Sequence, residues 1–146
     1  MFTVRLTTSA DDLEQAFKLR WEVLRKPWNQ PRGSEQDEQE ATSFTAIAQA
    51  NGITVATGRV QLISPLVAQI RYMAVHPEWQ GKGAGRQVLH LLEKQAGKLG
   101  AEMIVLNARE NAISFYQRNG YQITGNADML YGVIRHVRME KKMENR

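Results

Sequence analysis

The chain has 146 residues, of which 42% are hydrophobic and 23% charged, with a formal charge of +4 and no cysteine. That size and balance suit a single domain over residues 1–146 with a proper core, and the lack of cysteine excludes disulfides, thiol nucleophiles and thiolate metal sites. No apolar run approaches the ~20 residues of a membrane helix, and residues 1–6 have no signal-peptide shape. A cytoplasmic protein with no membrane partner is expected. The basic residues are spread along the chain apart from Arg135, Arg138, Lys141, Lys142 and Arg146. Such a charge fits a solubilising surface or a polyanionic cofactor better than a nucleic-acid groove.

Residues 2–7 alternate as a first strand. Ser9-Ala10-Asp11-Asp12 has the shape of a capping box, and Leu13, Phe17, Trp21 and Leu24 follow on one helical face. A helix over about 10–25 is expected, ending before Pro27. Residues 26–42 are rich in Pro, Gly and polar side chains, with Glu35, Asp37, Glu38 and Glu40 crowded together. They read as a solvated acidic loop or as an acidic lid that attracts a cationic amine. Strands at 43–50 and 53–63 flank Asn51-Gly52, a strong hairpin signal.

A strand at 66–75 is stopped by Pro77. A helix takes over at about Arg86, with Val88, Leu92, Ala96 and Leu99 on one face. Residues 102–108 read as a buried strand and 111–118 as a helix stopped at Asn119-Gly120. Residues 121–124 and 131–141 make the closing strands around a Gly125-Asn126 turn. The order is β-α-β-β-β-α-β-α-β-β, with helices covering a central mixed sheet.

Between the strand ending at 75 and the helix lie Gly81, Gly83 and Gly85, with Lys82 and Arg86 beside them. Glycines allow a ligand to approach backbone N–H groups closely. The unpaired N–H groups and positive dipole end of the helix then make an anion site. The dinucleotide fingerprint fails because Arg86 stands where its third glycine belongs, and no Gly-Lys-Ser or Gly-Lys-Thr occurs. What remains is Gln80-x-x-Gly83-x-Gly85 directly after a strand. Alone, this also fits a tight strand-to-helix connection with no ligand.

This loop resembles the acyl-CoA loop of the GNAT family, the GCN5-related N-acetyltransferases, whose pattern is [QR]-x-x-G-x-[GA]. About 30 residues on, Ala112, Phe115, Tyr116, Gly120 and Tyr121 match the family's A-x-x-[FL]-Y-x-x-x-G-[FY] after a strand ending near an Asn. Both motifs, in order, extend the resemblance over nearly the whole chain, and it is nearest to small bacterial members of unassigned substrate. The resemblance implies an α/β fold with a mixed, mostly antiparallel sheet splayed between its fourth and fifth strands. It implies acetyl-CoA as co-substrate and direct transfer of acetyl to a small-molecule or peptide amine.

Residue by residue, the resemblance lays Met73, Ala74 and Val75 along pantetheine, with the Met73 N–H on the thioester oxygen. Gln80, Gly81, Lys82, Gly83, Ala84, Gly85 and Arg86 would hold the pyrophosphate, and Asn107 would meet pantetheine from the facing strand. Tyr116 would protonate the departing thiolate. Many relatives carry a glutamate where this chain has Gln69, so the base is left unassigned, with Glu38, Glu40 and Asp128 as candidates by charge alone. The rivals are a CoA-binding sensor module without turnover and, on charge only, a nucleic-acid-binding domain. His76 reads as a turn residue, His90 as solvent-facing, and His136 as able to approach the acceptor. No metal site is expected, and pairing of two copies through the last strands is a hypothesis for sedimentation to test.

Overall fold

The computed structural model describes residues 1–144. Its single sheet has the order β1-β2-β3-β4-β5-β7-β6, built from β1 (Thr3–Leu6), β2 (Phe44–Ala50), β3 (Ile53–Ser64), β4 (Val67–Val75), β5 (Met103–Arg109), β6 (Gln122–Leu130) and β7 (Ile134–Lys142). All neighbours are antiparallel except β4 and β5. Among the described residues the α-helices are α1 (Ala10–Arg20), α2 (Ala84–Lys98) and α3 (Ile113–Arg118). The expected mixed, mostly antiparallel sheet is therefore present.

Each face of the sheet carries its own set of buried residues, as the two-residue period of a strand requires. Val88, Leu89, Leu92 and Ala96 of α2 pack with Ala46, Ala48, Ala56, Val60, Ile70, Ile104 and Leu106 in the main core. On the opposite face Thr45, Thr57 and Arg59 are buried beneath the α1 side, where Ala16, Phe17, Leu19 and Arg20 are also buried. α1 begins as its sequence suggests: Ser9 Oγ accepts from the Asp12 N–H at 3.0 Å. Asp12 in turn accepts from the Thr8 N–H and from both terminal nitrogens of Arg5. The Arg5 guanidinium and the Thr8 N–H hold the Asp12 carboxyl far below its ordinary range.

Two expectations are corrected and one is refined. The helix expected over about 10–25 is present, α-helical to Arg20 and π-helical over Trp21–Arg25, and is followed by a 3₁₀ turn over Lys26–Trp28. Pro27 sits in the first turn of that 3₁₀ segment, where its missing N–H costs nothing. The last hairpin turns at Tyr131-Gly132, both in the left-handed region (φ 55° and 72°), and not at Gly125-Asn126. Gly125 lies instead within β6, paired with Arg138 beside a register shift that leaves Thr124 as the extra residue. The second correction concerns the acidic loop, which is neither simply solvated nor an open lid. Glu35 is fully buried, and Asp37 and Glu40 point inward to arginines.

Candidate active site

β4 and β5 pair only through Val67–Met103, Ala68–Ile104 and Gln69–Val105. Beyond them β4 runs on to Val75 beside β3, while β5 runs on to Arg109 beside β7. The parallel pair thus opens into a wedge, because each strand keeps its outer partner and loses its inner one. A bulge sharpens the opening. Thr57 faces Ala74 and Arg59 faces Arg71, so Gly58 opposes two residues, Tyr72 and Met73. Tyr72 takes φ 59°, a left-handed conformation that an aromatic residue rarely adopts. A Cβ on Gly58 would collide with the Met73 and Leu92 side chains, so the packing over the bulge leaves no room for one.

An arginine cluster holds Tyr72 in this conformation. Its ring lies 4.6 Å from the Arg20 guanidinium carbon, 5.0 Å from that of Arg59, 4.8 Å from that of Arg71 and 5.6 Å from that of Arg25. Arg59 donates to Asp37 at 2.6 Å and to Glu40 at 2.8 Å, Arg20 reaches Glu40 at 3.0 Å, and Arg71 reaches Asp37 at 2.9 Å. Burial works against the charge of Arg59, but Asp37 and Glu40 outweigh it and raise its pKa. Burial likewise opposes the Asp37 carboxylate, and Arg59 prevails and lowers its pKa. The loop that carries Asp37 and Glu40 is thereby fastened across β3 and β4.

The wedge is a cleft of about 870 Å³. Met73, Ala74, Val75, Gln80, Gly81 and Gly85 line it from the β4 and loop side, and Asn107, Phe115 and Tyr116 from the other. A second hollow of about 630 Å³ is lined by Gly81, Gly83, Arg86, His90, Phe115, Arg118 and Asn119. Gly83 caps α2 at φ 88°, and Gly81 takes φ 76°. The glycines therefore allow the reversal that aims the first N–H groups of α2 outward. Lys82 and Ala84 line neither hollow: the Lys82 ammonium lies 5.3 Å from the Trp79 ring, and Ala84 is buried in the core.

Tyr116 is buried between Phe115 and Tyr121, with ring centroids at 5.1 and 5.7 Å in edge-on geometry. The Tyr121 hydroxyl donates to Glu93 at 2.8 Å, and the Lys141 ammonium donates to the same carboxylate, so the ring behind Tyr116 is pinned. Burial pushes the Tyr116 phenol well above its ordinary pKa, and it stays protonated as a donor.

Of the candidate bases, Glu38 is exposed outside the cleft and Glu40 is committed to two arginines; Asp128 lines the cleft. Gln69 lines it too. His76 accepts the Glu78 N–H and caps a turn, and His90 is exposed beside the second hollow. His136 lines the main cleft, with Nδ1 3.0 Å from the Ile134 carbonyl oxygen. Burial, and behind it the charges of Arg109 and Arg25, keep its pKa below the ordinary imidazole value.

Sequence reasoning missed Glu22, Arg25, Tyr72 and Arg109, which also line the cleft. Only their positions next to the glycine loop and the Asn107 strand could have suggested the last two. Among the described residues no group of three or more His, Asp or Glu side chains is placed to hold a metal, and no helix is long and apolar enough to cross a membrane.

The sequence model of the acetyltransferase (GNAT) family matches residues 13–121. Over 136 residues the chain is 29% identical to the uncharacterized N-acetyltransferase YjcF of Bacillus subtilis (strain 168), an alignment covering 93% of this chain and 96% of that one. Escherichia coli ElaA shares the fold with a TM-score of 0.83 at 18% identity, over 97% of this chain and 100% of its own. A GNAT family acetyltransferase from Elizabethkingia anophelis, solved with acetyl-CoA bound, gives a TM-score of 0.75 at 13% identity, over 97% and 98% of the two chains. The family match spans the strand pair that opens, the glycine loop and the Tyr116 helix, and the chain belongs to the acetyltransferase (GNAT) family.

Proposed function

We propose that the wedge between β4 and β5 binds acetyl-CoA and transfers its acetyl group to a primary amine by direct attack. Family membership makes the chain an acetyl-CoA-dependent N-acetyltransferase; the roles of its residues are our assignment. Pantetheine lies along Met73, Ala74 and Val75 and meets Asn107 opposite. The pyrophosphate rests on the backbone from Gln80 to Arg86, with Lys82 and Ala84 contributing main-chain groups only.

The amine nitrogen bonds to the thioester carbon, and the oxyanion that forms is stabilised by the Met73 N–H. The C–S bond then breaks with its electron pair on sulfur, which takes a proton from Tyr116. The proton released by the amine leaves through water or through Glu22, Asp128 or His136, the titratable groups lining the cleft outside the arginines and tyrosines. Gln69 cannot accept it at neutral pH. The reading treats residues 1–146 as one catalytic unit working in the cytoplasm.

The observation that carries this reading is the three-residue pairing of β4 with β5, which opens with the glycine loop at one wall and Tyr116 at the other. Calorimetric titration with acetyl-CoA, alongside dephospho-CoA and ATP, tests it. Binding of acetyl-CoA with a Kd on the order of 10 μM is expected, followed by thiol release when an amine is supplied. Absence of binding in low salt overturns the site. Binding without thiol release from any amine makes the domain a CoA-binding module.

A further inference from the structure

The cleft ends on its α1 side in a cationic corner, lined by Arg25 and Arg109. Arg109 closes β5, and its register partner on β7 is His136. Arg25 comes from the π-turn after α1. The two guanidiniums converge on one acceptor: Arg109 Nη2 donates to the Leu24 carbonyl at 3.0 Å and Arg25 Nη1 to the same oxygen at 3.3 Å. Arg25 Nε donates to the Ser34 carbonyl, and its guanidinium faces the rings of Tyr72 at 5.6 Å and Tyr131 at 6.0 Å. Among the described residues neither arginine pairs with a carboxylate, whereas Arg20, Arg59 and Arg71 all do.

Two like charges brought together out of bulk water repel one another and lose hydration. Burial, and then the charge of Arg25, lower the pKa of Arg109. Aromatic faces and carbonyl acceptors fix such a pair in place without neutralising it. A ligand's carboxylate supplies a charge that matches the guanidinium fork. The acyl donor's phosphates are placed elsewhere, at the α2 N-terminus near Arg86 and Arg118. Asp37 and Glu40 are committed to arginines, so Glu22 and Asp128 are the carboxylates among the described residues that line the cleft.

We propose that the acceptor is a small amine that also bears a carboxylate, an amino acid or related amino carboxylate, with its carboxylate seated between Arg25 and Arg109. This rests on the acetyl-CoA reading of the same cleft. Recognition leaves the carboxylate unchanged and holds the amine on the Gln69 and Tyr72 side, where the thioester is presented.

The test measures thiol release from acetyl-CoA with the proteinogenic L-amino acids, β-alanine and 4-aminobutyrate. Each is run beside its carboxamide, with spermidine and 2-aminoethyl phosphate as further arms. At least one free acid is expected to turn over, and its carboxamide to have a kcat/KM lower by about 30-fold or more, as for losing one partner of a buried charge pair. Arg109→Gln should raise the KM of that acid about tenfold or more, with Arg109→Lys intermediate and the acetyl-CoA Kd of both unchanged.

Intact acetyl-CoA binding with no acid turned over overturns the proposal. So does a carboxamide, spermidine or 2-aminoethyl phosphate that matches or exceeds the best acid, or an Arg109→Gln variant with wild-type KM. Loss of acetyl-CoA binding in the wild-type protein is a different result, which removes the donor reading and the acceptor proposal together.

Discussion

Tyr116→Phe is expected to lower kcat by roughly 10²- to 10⁴-fold, the range for loss of a general acid. The affinity for acetyl-CoA should be almost unchanged. The substitution removes one oxygen and leaves the ring between Phe115 and Tyr121, so the packing that holds α3 against the core survives. Burial raises the phenol's pKa, and a group that stays protonated throughout the working range gives no alkaline limb of its own. The loss should therefore be nearly constant with pH. Rapid-quench measurement of amide formation, with calorimetry for the donor, separates the roles. A kcat within about threefold of wild type would mean that the thiolate leaves unprotonated or takes its proton from water.

Arg59→Met should destabilise the fold by about 3 kcal/mol, because it strips the shared partner from two inward-facing carboxylates. Arg59 is fully buried, and its terminal nitrogens serve Asp37, Glu40 and Gln61 together. Methionine fills much of the space but leaves the exposed Arg71 as the cation paired with Asp37 and Arg20 as the one paired with Glu40. For a chain of this size that is a fall in Tm of roughly 10 °C. Asp37→Asn added to Arg59→Met should recover part of it, because the stranded charge is gone. The cluster is not optimised for stability alone: Arg20 Nε, Arg59 Nε and Glu40 Oε1 are buried without hydrogen-bond partners. We read it as the clamp that keeps the loop down and Tyr72 in its left-handed bulge. A Tm within about 2 °C of wild type would show that the carboxylates simply rehydrate.

Much of this was legible in the sequence where the signal is local. Asn51-Gly52 turns the β2–β3 hairpin with both residues at positive φ, as that dipeptide favours. The apolar face of α2 and the helix-capping glycine follow from three- to four-residue spacing and the loss of a Cβ. Of the residues expected around the donor, Met73, Ala74, Val75, Gln80, Gly81, Gly85, Asn107 and Tyr116 line the wedge, Gly83 and Arg86 line the second hollow, and Lys82 and Ala84 line neither.

Long-range and conformational features were not legible. Nothing in the run of residues 31–43 says that its carboxylates will meet arginines from α1, β3 and β4. Charge crowding looks the same whether it faces water or a buried guanidinium. The left-handed Tyr72 arises from the mismatch of two strands around Gly58 and from four arginines gathered by the fold, so no local propensity announces it. The last turn was misplaced for a related reason. Gly125-Asn126 carries turn chemistry, but the pairing of β6 with β7 extends to Leu130 and takes both residues into the ladder.

The account rests on the position of the thioester, and a crystal structure of the protein with acetyl-CoA measures that position directly. The account places the thioester oxygen about 3 Å from the Met73 nitrogen, with the sulfur facing the Tyr116 hydroxyl and the pyrophosphate on the first turn of α2. Acetyl-CoA bound outside the wedge, or inside it with its carbonyl turned away from Met73, would contradict the mechanism proposed for this chain.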